Sequence, residues 1–276
     1  MDDDSPPDAV AGTAKGTSRM PVDTSGNLGS ILGVWAHPDD EAYASAGLMA
    51  HAVAAGHRVV CVTATRGEAG FPVADGRPAG VRMAVREQEL DASLAVLGVT
   101  EHHWLGYPDG GCASVPDDQA VARVAVILDR VRPDTILTFG PDGGTGHPDH
   151  LAACRWATLA YELVRPAGTR LLYATKTADW NARFHGPGSD RYMMVEGLAP
   201  EALLHDELAV HFTCDDAMAS RKVAAMRAQA SQIEPVVAHF GLPTFTGFVR
   251  EEFFRDPRPG DRETMDRIAN LPARSG

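Results

Sequence analysis

Between Ile31 and about residue 178, short continuous apolar runs alternate with helix-like stretches, and this alternation constrains the fold more than any other feature of the chain. ILGVWA, RVVCVTAT, HHWLGY, DTILTF and TRLLYAT read as strands. The segments between them read as helices: the Ala-rich run after HPDDE, RMAVREQELDASLAVLG closing at Gly98, QAVARVAVILDRV, and HLAACRWATLAYELV. Strands that are apolar throughout are buried on both faces, which requires a mostly parallel sheet with right-handed crossovers and helices on both sides. The expected fold class is therefore α/β, Rossmann-like. After about residue 178 the alternation fades. The helix-like DDAMASRKVAAMRAQASQ and the final FTGFVREEFFR are expected as additional C-terminal elements packed beside the sheet.

Residues 1–28 are rich in Asp, Pro, Gly, Ser and Thr and lack apolar periodicity, so they are expected as a disordered tail preceding one domain over 29–276. With 44% hydrophobic and 22% charged residues, a chain of 276 is long enough to bury a sizeable core. Its 25 basic residues against 37 acidic ones give a net charge of −12, which argues against nucleic acid as a partner. No stretch approaches the roughly 20 apolar residues of a membrane span, and MDDDSPPDAV is acidic where a secretory signal is basic, so a cytoplasmic location without membrane contact is expected. Cys61, Cys112, Cys154 and Cys214 are scattered without a C-x-x-C pair and read as reduced core residues. A homo-oligomer is left open.

In an open parallel sheet, ligands gather beyond the carboxyl ends of the strands. There the chain places His37-Pro38-Asp39-Asp40-Glu41 after the first strand and Gly146-His147-Pro148-Asp149-His150 after DTILTF. Each alone could be an N-capped helix start. Capping explains at most one Asp per helix, however, and accounts for neither the histidines nor their convergence. Catalytic zinc takes three His/Asp/Glu ligands and keeps a fourth position for water, and His37, Asp40 and His150 fit that count, with Asp39 and His147 left over. A dinucleotide binder needs G-x-G-x-x-G at the first turn, where this chain has HPDDE. A ligand-binding α/β module without catalysis is the competing class.

With AHPDDE at 36–41 and GHPDH at 146–150, the chain resembles the zinc-dependent PIG-L/LmbE-like deacetylases from Ile31 onward. TRGEAG at 65–70, REQEL at 86–90, LGV at 97–99, LGYPDGG at 105–111 and the K-x-x-A-x-x-x-Q-x-S-Q pattern from Lys222 to Gln232 are similar to the family more weakly. The resemblance implies Zn2+ (or another divalent metal) on His37, Asp40 and His150. It implies Asp39 as general base, and His147 as transition-state stabiliser or acid, protonated when it stabilises the oxyanion. Either residue could protonate the leaving amine. The implied reaction removes an acetyl group from an N-acetylated amino sugar or glucosaminyl conjugate. A thiol S-conjugate amidase or a natural-product sugar deacetylase of the same family is the alternative. A related glucosaminyl-inositol deacetylase carries a tyrosine where this chain has Thr145.

Arg66, Glu68, Arg86 and Asp109 fall in strand-following loops or on a helix and are expected to bind substrate hydroxyls, with a surface ion pair or cap as the competing reading. Glu41 is expected in the first helical turn or as a partner of a ligand His. His102 and His103 read as structural strand residues. Asp179, Trp180, Asn181 and His185 lie in a stretch read as a surface loop in preference to a lid.

Overall fold

The computed structural model describes residues 22–185 and 193–272. Its seven strands form one sheet in the order β3-β2-β1-β4-β5-β7-β6. β1 (Ile31–Trp35), β2 (Val59–Thr65), β3 (Glu101–Tyr107), β4 (Thr135–Phe139) and β5 (Arg170–Ala174) run parallel. Every residue of β1, β2 and β4 is buried, as continuous apolar runs require of strands covered on both faces. The intervening helices are α1 (Asp40–Ala54), α2 (Ala79–Leu97), α3 (Asp117–Val131) and α4 (Pro148–Val164). α2 stops at Gly98, whose φ of 78° ends the helix in the left-handed conformation.

The order 3-2-1-4-5 reverses between β1 and β4. This is the switch point at which a doubly wound sheet opens a crevice at its carboxyl edge. The HPDDE turn leaves β1 there, and the HPDH turn follows β4.

One expectation is corrected. The C-terminal part does more than pack beside the sheet. After α5 (Ala178–Phe184) come β6 (Val210–Thr213), α6 (Asp216–Ala228), α7 (Ala230–Phe240), α8 (Leu242–Val249), β7 (Glu251–Arg255) and α9 (Asp261–Ala269), and the two strands extend the sheet. β7 inserts antiparallel between β5 and β6. Its EEFFR sequence begins with two glutamates that disguise a strand, yet Glu252 is fully buried because Lys222 on α6 binds it at 2.6 Å. Glu252 also accepts the N–H groups of Gly47 and Leu48 at 2.7 and 2.9 Å, so one carboxylate ties α1, α6 and β7 together. Residues 22–28, expected within the tail, are described. Asp23 bridges β6 through Ala209 and His211, and Leu28 is buried in the core. Residues 1–21 of that tail lie outside the described residues.

The four cysteines are free and buried, and His102 accepts a place in β3 with Nε2 2.9 Å from Thr63 Oγ1. No helix among the described residues is long and apolar enough to cross a membrane.

Candidate active site

Proline at position 38 bars a helical conformation for His37 and turns the chain sharply out of β1. Asp39 then adopts φ 113°, a left-handed backbone that is strained for a residue with a Cβ, immediately before α1 begins at Asp40. Three contacts hold it. Its N–H donates to Glu41 Oε2 at 3.0 Å, the Arg86 guanidinium donates to the Pro38 carbonyl, and the same group lies 3.3 Å from Asp39 Oδ2. Glu41 is in turn fixed by Gln229, whose amide donates to Oε1 at 2.7 Å, with both residues fully buried.

Across the crevice, Gly146 has φ 75°, and an added Cβ would come within 2.8 Å of Val195, so only glycine lets the loop pass here. His147 caps α4: its Nδ1 accepts the Asp149 N–H at 3.1 Å. One turn into the helix, His150 stacks on Phe139, with ring centroids 4.1 Å apart, and its Nδ1 lies 2.9 Å from the Gly143 carbonyl.

These turns bring His37 Nδ1 to 3.2 Å from His150 Nε2. Asp40 completes the group, with Oδ1 3.4 Å from His150 Nε2 and Oδ2 3.5 Å from His37 Nδ1. A tetrahedral zinc site with ligands at about 2.0–2.1 Å has ligand-to-ligand edges of about 3.3–3.4 Å, close to the His37–His150 and Asp40 Oδ1–His150 separations, while Oδ2 also accepts the His37 backbone N–H at 2.7 Å. The far nitrogens are also anchored as metal-binding imidazoles require. His37 Nε2 faces Asp109 at 3.1 Å and Asp149 at 3.3 Å, while His150 Nδ1 meets a backbone carbonyl. The donor set fits a divalent cation. The donor atoms of His37, His147 and His150 also lie within 4.8 Å of one another.

Electrostatics favour positive charge at this centre. Burial opposes charge on His37, but hydrogen bonds to Asp109, Asp149 and Asp40 outweigh it and push its pKa up to about 12. Burial acts against the Asp40 carboxylate, yet His150 and His37 hold it well below the usual carboxylate range. Burial raises Asp39 to about 7; Arg86 pulls against that shift and Asp40 adds to it. Glu41, buried beside Asp39, is raised to about 8. Burial, His150 and His37 lower His147 to about 4, and its Nδ1 is the acceptor for a backbone N–H. Both effects favour a neutral ring that carries its proton on Nε2.

The four residues expected to touch substrate have these surroundings. Arg86 is 2% exposed and braces the Pro38-Asp39 turn. Asp109 orients His37 and accepts the Ala69 N–H at 2.7 Å. Glu68 accepts the Asp109 N–H at 3.0 Å. Arg66 pairs with Glu87 at 3.1 Å and lies over the Trp104 ring. Neither Arg66 nor Glu68 lines the cavity, whereas Arg86 and Asp109 line it while contacting the Pro38-Asp39 turn and His37. The TRGEAG segment makes this possible: Gly67 has φ 65°, and a Cβ there would crowd three guanidinium atoms of Arg86 at 3.1 Å. Glu41 supports the backbone of Asp39 rather than a ligand His.

Asp149 is a participant missed from sequence, a fully buried carboxylate that links His37 to the N–H groups of Gly110 and Cys112 at 2.8 and 3.0 Å. It stood inside the second motif, masked by the usual helix-start role of an Asp. Gln229 was missed too, though it is the first Gln of the Lys222 to Gln232 pattern. The expected loop at 179–185 is instead mostly helix α5, capped by Thr177, with Trp180 and Asn181 buried and facing the cavity. Asp179 is exposed in its first turn.

The cavity over this centre measures about 700 Å³. Asp39, His147 and Thr145 line one part of it; Thr145 Oγ1 is buried there without a hydrogen-bond partner. Aromatic residues of α5, α8 and β7 line another.

Residues 32–161 match the family model described as PIG-L: GlcNAc-PI de-N-acetylase. Over 271 aligned residues the chain is 34% identical to 1D-myo-inositol 2-acetamido-2-deoxy-alpha-D-glucopyranoside deacetylase 2 of Catenulispora acidiphila, covering 82% of this chain and 87% of that one. The chain belongs to the PIG-L family. Solved structures extend the likeness in fold. One is the N,N'-diacetylchitobiose deacetylase of Pyrococcus horikoshii, at TM-score 0.53, 22% identity and 82% coverage of each chain. Another is a 4-carboxy-2-hydroxymuconate hydratase from Pseudomonas putida, at TM-score 0.55 and 16% identity, covering 84% of this chain and 97% of that one. A hydratase on the same scaffold shows why the reaction of this PIG-L protein must be argued from its site.

Proposed function

We propose that this PIG-L protein is a zinc-dependent hydrolase that removes the acetyl group from an N-acetylated amino sugar or a glucosaminyl conjugate. The observation that carries the reading is the meeting of His37, Asp40 and His150 within 3.2–3.5 Å of one another, with Asp39 and His147 lining the same cavity. The deacetylase of Catenulispora acidiphila supports the substrate class.

His37, Asp40 and His150 would hold the cation. When bound there, zinc supplies a Lewis acid for the amide carbonyl and lowers the pKa of water from about 15.7 towards about 7.

The chain's own residues do the rest. The left-handed turn aims the Asp39 carboxylate into the cavity next to the ligands, and a carboxyl raised to about 7 both accepts a proton from attacking water and gives it up near neutral pH. Asp39 thus takes the proton at Oδ and passes it to the amine nitrogen as the C–N bond breaks. Neutral His147 donates from Nε2 to the developing oxyanion, a contribution typically worth about 10²–10³ in rate. Arg86, Glu41 and Gln229 keep Asp39 aimed, while Asp109 and Asp149 keep the His37 ring fixed. Four free buried thiols support a reducing, cytoplasmic setting.

The test is primary-amine release from N-acetylglucosaminyl-inositol and from simple N-acetylglucosaminides, using protein stripped by chelator and reloaded with zinc. Release that disappears on stripping and returns with zinc is the expected result. A protein that binds zinc stoichiometrically yet releases no amine from any N-acetylated sugar is a binder, and the proposal fails.

A further inference from the structure

Lys176 follows β5 at the carboxyl edge of the sheet and lines the same cavity as the catalytic groups. Its backbone is pinned: its carbonyl accepts the Leu203 N–H at 3.0 Å, beside the bridge between Thr177 and Leu203. Its Nζ lies 4.2 Å from the centroid of the Trp180 ring and 5.7 Å from that of Phe253. Phe248 and Phe184 pack against Trp180, with ring centroids 4.7 and 5.1 Å away, and complete an aromatic recess.

Among the described residues no carboxylate pairs with this ammonium. Glu252 is held by Lys222, which adds a like charge nearby. Glu251 is held by Arg183 and His211, and Glu201 by Arg255 and Thr175. Cation–π contact offsets only part of the cost of removing an ammonium from water. Burial accordingly pushes Lys176 down to about 7. None of the proposed hydrolytic steps uses this residue.

We propose that the Lys176 recess is a second substrate subsite, which takes an aromatic group bearing a carboxylate attached to the amino sugar. The partly exposed rings of Phe184 and Phe248 stack the aryl face, and the ammonium, which Glu252 and Glu251 act on only through space, gains a directly paired carboxylate. A cavity of about 700 Å³ leaves room for such an aglycone, since pockets of about 300–1,000 Å³ enclose drug-sized ligands. This inference rests on the deacetylase reading and narrows its substrate to an anionic aryl conjugate.

The probes are 4-carboxyphenyl and phenyl N-acetyl-β-D-glucosaminide, compared in the zinc-loaded full chain by amine release. The carboxyphenyl probe is expected to show a KM lower by about tenfold or more. That ratio collapses to near one in Lys176→Met and is kept in Lys176→Arg. A ratio near one in the wild-type chain overturns the proposal, as does a ratio that persists in Lys176→Met. Quenching of tryptophan fluorescence in chelator-stripped protein, assigned to Trp180 by its loss in Trp180→Phe, gives an independent reading. The carboxyphenyl probe should quench at lower concentration than the phenyl probe, and equal concentrations overturn the subsite. If neither probe releases amine but the quenching preference holds, the deacetylase reading fails while the anion-binding recess stands.

Discussion

The imidazoles of His37 and His150, 113 residues apart in the chain, face each other with Nδ1 of one 3.2 Å from Nε2 of the other. Each ring is turned to that position by a partner on its far nitrogen, a carboxylate pair for His37 and the Gly143 carbonyl for His150. The two nitrogens that face each other are therefore oriented by the protein's own hydrogen bonds.

Replacing His150 by Ala should empty the site, because three ligands cannot spare one. Zinc content measured by atomic absorption is expected to fall from near stoichiometric to near zero, together with amine release. Full zinc occupancy in this variant would remove His150 from the coordination sphere.

Asp39→Asn separates base from ligand. Metal content should stay near that of the parent while kcat drops by about 10²–10⁴, the range for loss of a general base. Equal loss of zinc and activity contradicts the role given to Asp39.

Arg86 holds the Asp39 carboxyl down against burial. Base catalysis needs the ionised form, so activity falls as pH drops through the Asp39 pKa. Removing Arg86 raises that pKa, so Arg86→Met should move the acidic limb of the kcat profile to higher pH. A limb that stays in place, or moves down, counts against the coupling.

Lys222→Met leaves Glu252 buried with two backbone donors and no counter-charge. Breaking such a pair costs about 3–5 kcal/mol, to be read from the urea midpoint. Adding Glu252→Gln should recover part of the loss. A single variant as stable as the parent shows that the pair contributes little.

The parallel half of the sheet was legible because its strands are apolar on both faces and its helices carry their own end signals, such as Gly98. The antiparallel half was not. β7 begins with two glutamates, and only the tertiary partner Lys222 makes one of them a core residue. At the site, the paired HPD turns announced the cluster of His37, Asp40 and His150. The bracing groups did not announce themselves: Arg86, Asp109 and Asp149 are polar residues whose direction depends on how the loops close. A sequence places them near the crevice without revealing whether they point at a sugar or at His37.

β7 is made after β6 yet lies between it and β5. Apart from the short bridge at Asp23, β6 has no neighbour in the sheet to pair with until residues 251–255 have left the ribosome. Phe253, whose ring faces Lys176, arrives on that same late strand. A nascent chain can therefore assemble both HPD turns before Phe253 takes its place beside Lys176 and Trp180.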